Sequence, residues 1–121
     1  MKTHKDLDAW KNSIGLVTDV YKTTQGFPKI EQFGLTNQIR RSAVSVPSNI
    51  AEGAGRKYKK EFIQFLFISL GSLAELETQL IISNNIDYIS EEELETYNQK
   101  IKTISNQIHG LVKYLSNQVT K

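Results

Sequence analysis

His4 and His109 are the only imidazoles in this 121-residue chain, and neither stands where an imidazole does chemistry. Di-metal carboxylate sites in helical bundles pair Glu-x-x-His motifs from facing helices. The residues three places before His4 and His109 are Met1 and Asn106, so no such motif exists. Serines are plentiful, but a nucleophilic serine needs a positioned base, and neither histidine supplies one. Glu75 and Glu77 flank Leu76, and Glu52 and Glu61 bracket the central glycine-rich stretch, places where carboxylates pair with arginines. Gly53-Ala54-Gly55-Arg56 lacks the Gly-Lys-Ser/Thr ending of a phosphate-binding loop. The absence of cysteine removes disulfides, thiolate metal sites and thiol nucleophiles together and fits a reducing compartment. These residues imply no enzyme, no cofactor and no metal.

What remains is a set of cations. Arg40, Arg41, Arg56, Lys57, Lys59 and Lys60 lie within 21 residues that contain one acid, Glu52. Guanidinium forks grip phosphate bidentately and lysines add point charge. Tyr58 stands among them as a ring on which an unpaired base can stack. The competing reading is a solvated loop whose charges pair with acids, either within the chain or on a neighbouring subunit. From Glu61 to Gln99 there are eight acids and no lysine or arginine, so a partner for such pairing is at hand.

The elements that must carry these groups are helices. Length and composition, with 39% hydrophobic and 23% charged residues, imply one globular domain spanning residues 1–121. The start, Met1-Lys2-Thr3-His4-Lys5-Asp6, is charged and leads into no apolar signal core. The longest uncharged apolar stretch, Phe62 to Ala74, has 13 residues, short of the roughly 20 that a membrane span needs. A cytoplasmic protein is the expectation.

Four segments show apolar spacing of three and four. The first places Leu7, Trp10, Ile14, Val17, Tyr21 and Thr24 on one stripe, and Gln25-Gly26-Phe27-Pro28 ends it. The second, residues 34–53, aligns Leu35, Ile39, Ala43, Val46 and Ile50. Pro47 inside it predicts a kink near Ala43, with Ser48 and Asn49 mostly buried where small neighbours admit another helix. The third, residues 58–84, aligns Phe62, Leu66, Ser69, Leu73, Leu76 and Leu80, while Phe65, Ile68, Ile81 and Ile82 widen its apolar face beyond one core. The fourth opens with Ser90-Glu91-Glu92-Glu93, a capping box, and runs Leu94, Tyr97, Ile101, Ile104, Ile108, Leu111 and Leu115. Joined by short loops, such helices pack as an all-α, antiparallel up-and-down four-helix bundle.

One run of residues carries a resemblance. Ile39-Arg40-Arg41-Ser42-Ala43-Val44-Ser45-Val46-Pro47-Ser48-Asn49-Ile50-Ala51-Glu52-Gly53, followed by Gly55-Arg56, resembles the signature of the small four-helix bundle proteins encoded in intervening sequences of 23S ribosomal RNA genes. Asp8-Ala9-Trp10-Lys11, Phe33-Gly34-Leu35, Glu61-Phe62, Phe65-Leu66 and Gly71-Ser72-Leu73-Ala74-Glu75-Leu76-Glu77-Thr78 extend the match to about Tyr88. The last helix matches in pattern alone. The resemblance implies a homopentamer, a ring with a central channel. The family is also similar to the accessory protein of diversity-generating retroelements, a basic pentamer associated with reverse transcriptase and nucleic acid. Two departures stand out: Tyr58 occupies the place of a capping serine or threonine, and the net charge of +2 is low.

The sequence therefore predicts a non-enzymatic, cytoplasmic homo-oligomer, a pentamer by resemblance, that binds RNA or a ribonucleoprotein partner through the six cations. The alternative is a protein–protein adaptor without nucleic-acid affinity, whose cations pair with the acidic region of a neighbour.

Overall fold

The computed structural model describes residues 3–119; the charged start at Met1 and Lys2 lies outside them. Four helices account for the chain: α1 (Asp8–Thr24), α2 (Leu35–Ala54), α3 (Lys59–Asn85) and α4 (Glu91–Val119). Single turns of 3-10 helix precede α1 (His4–Asp6) and α2 (Lys29–Glu31), and no strand occurs among the described residues. Each helix runs antiparallel to the next. The result is the up-and-down bundle that the four apolar stripes imply.

The stripes of α2, α3 and α4 lie where their spacing puts them. Ile39, Ala43, Val46 and Ile50 of α2 are buried, as are Phe62, Leu66, Ser69, Leu73, Leu76 and Leu80 of α3 and Tyr97, Ile101, Ile104, Ile108 and Leu115 of α4. The capping box that starts α4 forms in both directions: Glu93 N–H donates to Ser90 Oγ at 3.0 Å, and Ser90 N–H to Glu93 Oε1 at 3.0 Å. Such a cap contributes about 1 kcal/mol.

The first helix departs from its expected stripe. Its buried residues are Ala9, Ser13, Leu16, Val20 and Thr24, while Ile14 and Tyr21 are exposed and Trp10 and Val17 half-buried. The face that enters the core lies about one residue, some 100°, round the helix from the bulky stripe. Small Ala9 and Ser13 let α1 lie close, and Ser13 satisfies its own hydroxyl by donating to Trp10 O at 2.8 Å. The bulky stripe is left on the flank beside α2.

Pro47 is buried within an uninterrupted α2, but Ser48 is exposed and Asn49 half-buried, contrary to the expectation for both. The reason is direction: Ser48 points away from α3. Asn49 turns back along its own helix, and its Nδ2 donates to Ser45 O at 2.8 Å.

Between α2 and α3 the packing is tight and polar in places. Ser69 Oγ donates to Val46 O at 2.9 Å in the core, and Ser45 and Ser72 hydroxyls meet at 2.8 Å. The α1–α2 connection is pinned by Glu31, whose Oε1 accepts from Leu35 N–H at 3.3 Å, standing in for the side-chain cap that Gly34 lacks. Tyr88 OH donates to Glu31 Oε2 at 2.9 Å and ties this corner to the α3–α4 connection.

Among the described residues α3 alone is long and apolar enough to cross a membrane. In the bundle its inner face is the centre of the core. Its outer face keeps Phe67 (53% exposed), Ile68 (51%) and Ile82 (43%) in solvent.

Candidate nucleic-acid interface

The loop from α2 to α3 is shaped by one glycine. A Cβ at Gly53 would stand 2.7 Å from Phe65 Cβ and 2.9 Å from Phe62 Cδ1, so only a bare backbone lets the end of α2 lie on the start of α3. Backbone bonds then close the turn: Gly55 N–H donates to Ala51 O at 3.2 Å and Arg56 N–H to Gly53 O at 3.1 Å.

Arg56 fastens this turn with its side chain. One guanidinium nitrogen lies 3.2 Å from Glu52 Oε2, another 3.9 Å from Glu61 Oε2, and the guanidinium stacks 4.8 Å from the Phe65 ring centroid. All three charged side chains are about half exposed, so each pair contributes at most about 1 kcal/mol. The carboxylates hold Arg56 in place without sealing it from a phosphate.

Tyr58 is the N-cap residue of α3, in extended backbone geometry and without a side-chain cap bond. Its C=O starts the helix by accepting from Phe62 N–H at 3.2 Å. The ring is thus released from any capping duty and is 60% exposed. Lys57 Nζ lies 5.5 Å from its centroid. Lys57, Lys59 and Lys60 are exposed and make no ion pair among the described residues. Up-and-down topology also brings the start of α1 and the end of α4 to this end of the bundle, adding Lys5 and Lys113. Nothing in their sequence neighbourhood marks those two lysines; only the topology does.

The six cations do not form one patch. Arg40 and Arg41 lie some 15 residues back along α2, about 22 Å from Arg56 at 1.5 Å per residue. Arg40 is committed to α1. Its Nε donates to Thr24 Oγ1 at 2.8 Å, an Nη donates to Tyr21 O at 3.4 Å, and its guanidinium lies 4.5 Å from the Tyr21 ring centroid. It thereby satisfies carbonyl and hydroxyl groups at the C-terminus of α1, where a cation also suits the helix dipole. Arg41 is exposed and makes no ion pair among the described residues, at the mouth of a cleft of about 470 Å³ that also holds Phe33, Glu75 and Gln79.

The far end of the bundle is richer in acids, with Lys22 and Lys29 beside them. Glu31, Asp87, Glu91, Glu92, Glu93 and Glu95 gather there, about 40 Å from the basic loop along the 27 residues of α3. Along the seam of α1 with α4, Lys100 pairs with Asp19 and Asn12 Nδ2 donates to Gln107 Oε1 at 3.0 Å. Tyr97 and Thr23 hydroxyls meet there at 2.6 Å, and burial pushes the Tyr97 phenol up. No three His, Cys, Asp or Glu side chains converge as a metal site among the described residues. His109 is exposed, and His4 sits edge-on to Trp10 at 5.2 Å.

Comparison with known proteins agrees with this architecture. The model of a family described as 23S rRNA-intervening sequence protein matches residues 5–110. No curated protein matches. A crystal structure from Bacteroides thetaiotaomicron, described as a protein with unknown function from the S23 ribosomal protein family, is similar with a TM-score of 0.79 and 24% identity. The match covers 87% of this chain and 95% of that one, and at this identity it speaks for the fold alone.

Proposed function

This chain belongs to the 23S rRNA-intervening sequence protein family, and on that premise we propose that it is a non-catalytic, self-associating bundle that binds RNA through its basic end. The observation that carries this reading is the loop itself. Lys57, Lys59 and Lys60 are unpaired beside an exposed Tyr58, on a turn fastened by Arg56 and Gly53. A fixed backbone with free ammonium groups meets phosphates at little ordering cost, and the ring offers a stacking surface that does not depend on sequence. Arg56 joins by exchanging a carboxylate for a phosphate. Arg41 lies along a longer strand's path, and Arg40 contributes through the fold.

The adaptor reading requires basic and acidic regions of neighbours to meet. Most of the acids, Glu31, Asp87, Glu91, Glu92, Glu93 and Glu95, are at the end opposite the basic loop, so side-by-side subunits keep those apart from it and only end-to-end stacking joins them, while Glu61 at the loop is taken up by Arg56. That geometry favours RNA as the ligand of the loop.

Fluorescence anisotropy of a labelled single-stranded RNA at about 50 and 200 mM salt tests the proposal. Three engaged lysines, at a slope of roughly 0.7 each, weaken binding about 20-fold over that range. Little difference among RNA sequences is expected. Absence of binding at the lower salt, with the protein still assembled, returns the case to the adaptor.

A further inference from the structure

Three side chains on the half of the α2–α3 seam nearer the α1–α2 connection each lack what their chemistry asks for. Gln79 is 8% exposed, and its Oε1 is closed off from solvent without a hydrogen-bond partner. A buried amide oxygen left unserved is costly, and proteins keep few of them. Arg41 and Glu75 carry opposite charges on facing walls, yet neither makes an ion pair among the described residues. All three line the cleft of about 470 Å³ between α2 and α3, within the range of about 300–1,000 Å³ that small-molecule sites occupy.

The register of the seam sets their order. Ser42, itself buried, donates to Glu75 Oε1 at 3.0 Å and holds that carboxylate at the cleft wall, while the Ser45 and Ser72 hydroxyls meet at 2.8 Å. Arg41 therefore stands at the height of Glu75. Gln79 lies one turn farther toward the α1–α2 connection. Phe33, in that connection, borders the same end of the cleft with a ring that is 88% exposed.

Charge decides what fits. Arg41 and Glu75 sum to zero, so a phosphate brings surplus negative charge beside a carboxylate, and a plain amine leaves the guanidinium unserved. A molecule with an anion and a cation on one carbon serves both walls together, and that is the head of an α-amino acid. Its carboxylate suits the bidentate fork of a guanidinium. Its ammonium has three donors, enough for Glu75 and, after a turn of the amide about its own side-chain bonds, for Gln79 Oε1. With the head so held, the side chain runs along the seam toward Phe33, whose open ring favours a second ring in offset or edge-on contact.

We propose that this cleft binds a free α-amino acid with an aromatic side chain, its carboxylate on Arg41, its ammonium on Glu75 and Gln79, and its ring on Phe33. The ligand supplies the donor that Gln79 Oε1 lacks within the chain, so binding relieves a cost that the fold carries. The site lies about 22 Å along α2 from Arg56 and does not depend on the RNA reading.

Calorimetric titration tests the proposal with tryptophan and two truncated analogues. Tryptophan should bind at one site per chain. Tryptamine lacks the carboxylate and indole-3-propionate lacks the ammonium, and each should bind at least about ten-fold more weakly, as the loss of a hydrogen bond to a charged group implies. In Arg41→Gln the carboxylate has lost its partner, so tryptophan and tryptamine should bind alike. In Glu75→Gln tryptophan and indole-3-propionate should bind alike. Gln79→Met, close in shape, should keep or raise the unfolding temperature while weakening tryptophan at least about ten-fold. The proposal is overturned if tryptophan, tyrosine and phenylalanine all fail to bind at millimolar concentration, or if the wild type takes tryptamine as well as tryptophan. Tighter binding by guanosine monophosphate makes the cleft a nucleotide site and overturns it too. So does a Gln79→Met variant that melts earlier and binds tryptophan unchanged, since the amide is then a bonded core group. The variant Lys57→Ala/Lys59→Ala/Lys60→Ala should bind tryptophan like the wild type, which separates this site from the basic loop.

Discussion

The two long seams of the bundle are built on different principles. Where α2 meets α3, glycine and serines let the backbones approach, and hydroxyls bond inside the core: Ser69 to Val46 O, Ser45 to Ser72. Where α1 meets α4, exposed polar pairs such as Lys100 with Asp19 and Asn12 with Gln107 bridge a wider gap, with an open cleft of about 420 Å³ between the helices. The recognisable run from Ile39 to Gly53 belongs to the tight seam. Its residues are thus explained by packing, and they fix the loop that follows them. Lys57, Lys59 and Lys60 come after the run, exposed and without an ion pair among the described residues.

This contrast predicts a ranking of stability losses. Leu66→Ala, fully buried where α3 faces the core, should cost about 3 to 4 kcal/mol in urea unfolding. Gly53→Ala forces a Cβ to within 3 Å of Phe65 and Phe62 and should cost about 1 to 3 kcal/mol. Ser69→Ala removes one bond to a buried carbonyl that its helix also uses and should cost about 1 kcal/mol. Lys100→Ala, on the open seam, should cost less than about 1 kcal/mol because its pair is partly open to solvent. A loss from Lys100→Ala equal to that from Gly53→Ala would erase the distinction between the seams.

The sequence made most of the scaffold legible, and the exceptions have physical causes. The cores of α2 and α4 follow from spacing because each has one dominant apolar face; α3 is apolar on its outer face as well, yet its buried residues keep the three-four spacing. α1 has two candidate faces, and the bulkier one lost: a core crossed by close helices accepts Ala9 and Ser13 more readily than Trp10 and Tyr21. Arg40 read as a ligand-binding cation, whereas its partners Tyr21 and Thr24 lie on another helix and only the fold brings them together. Arg56, Lys57, Lys59 and Lys60 cluster in space because they are adjacent in sequence; Arg40 and Arg41 are separated from them by the rise of α2. The missing cap at Tyr58 was visible beforehand as a departure from the expected serine or threonine, and it proves to be an exposed ring at the loop's centre.

The proposed RNA binding depends on Lys57, Lys59 and Lys60 more than on any other group. The direct measurement is an RNA anisotropy titration at about 50 mM salt comparing the wild type, Lys57→Ala/Lys59→Ala/Lys60→Ala and Arg41→Ala, each first shown to keep its helical content and assembly. The triple variant should lose at least about 20-fold in affinity and most of its salt dependence, while Arg41→Ala should lose only a few-fold, as a single phosphate contact would. Equal binding by the triple variant and the wild type would contradict the account and move the RNA to another face of the bundle.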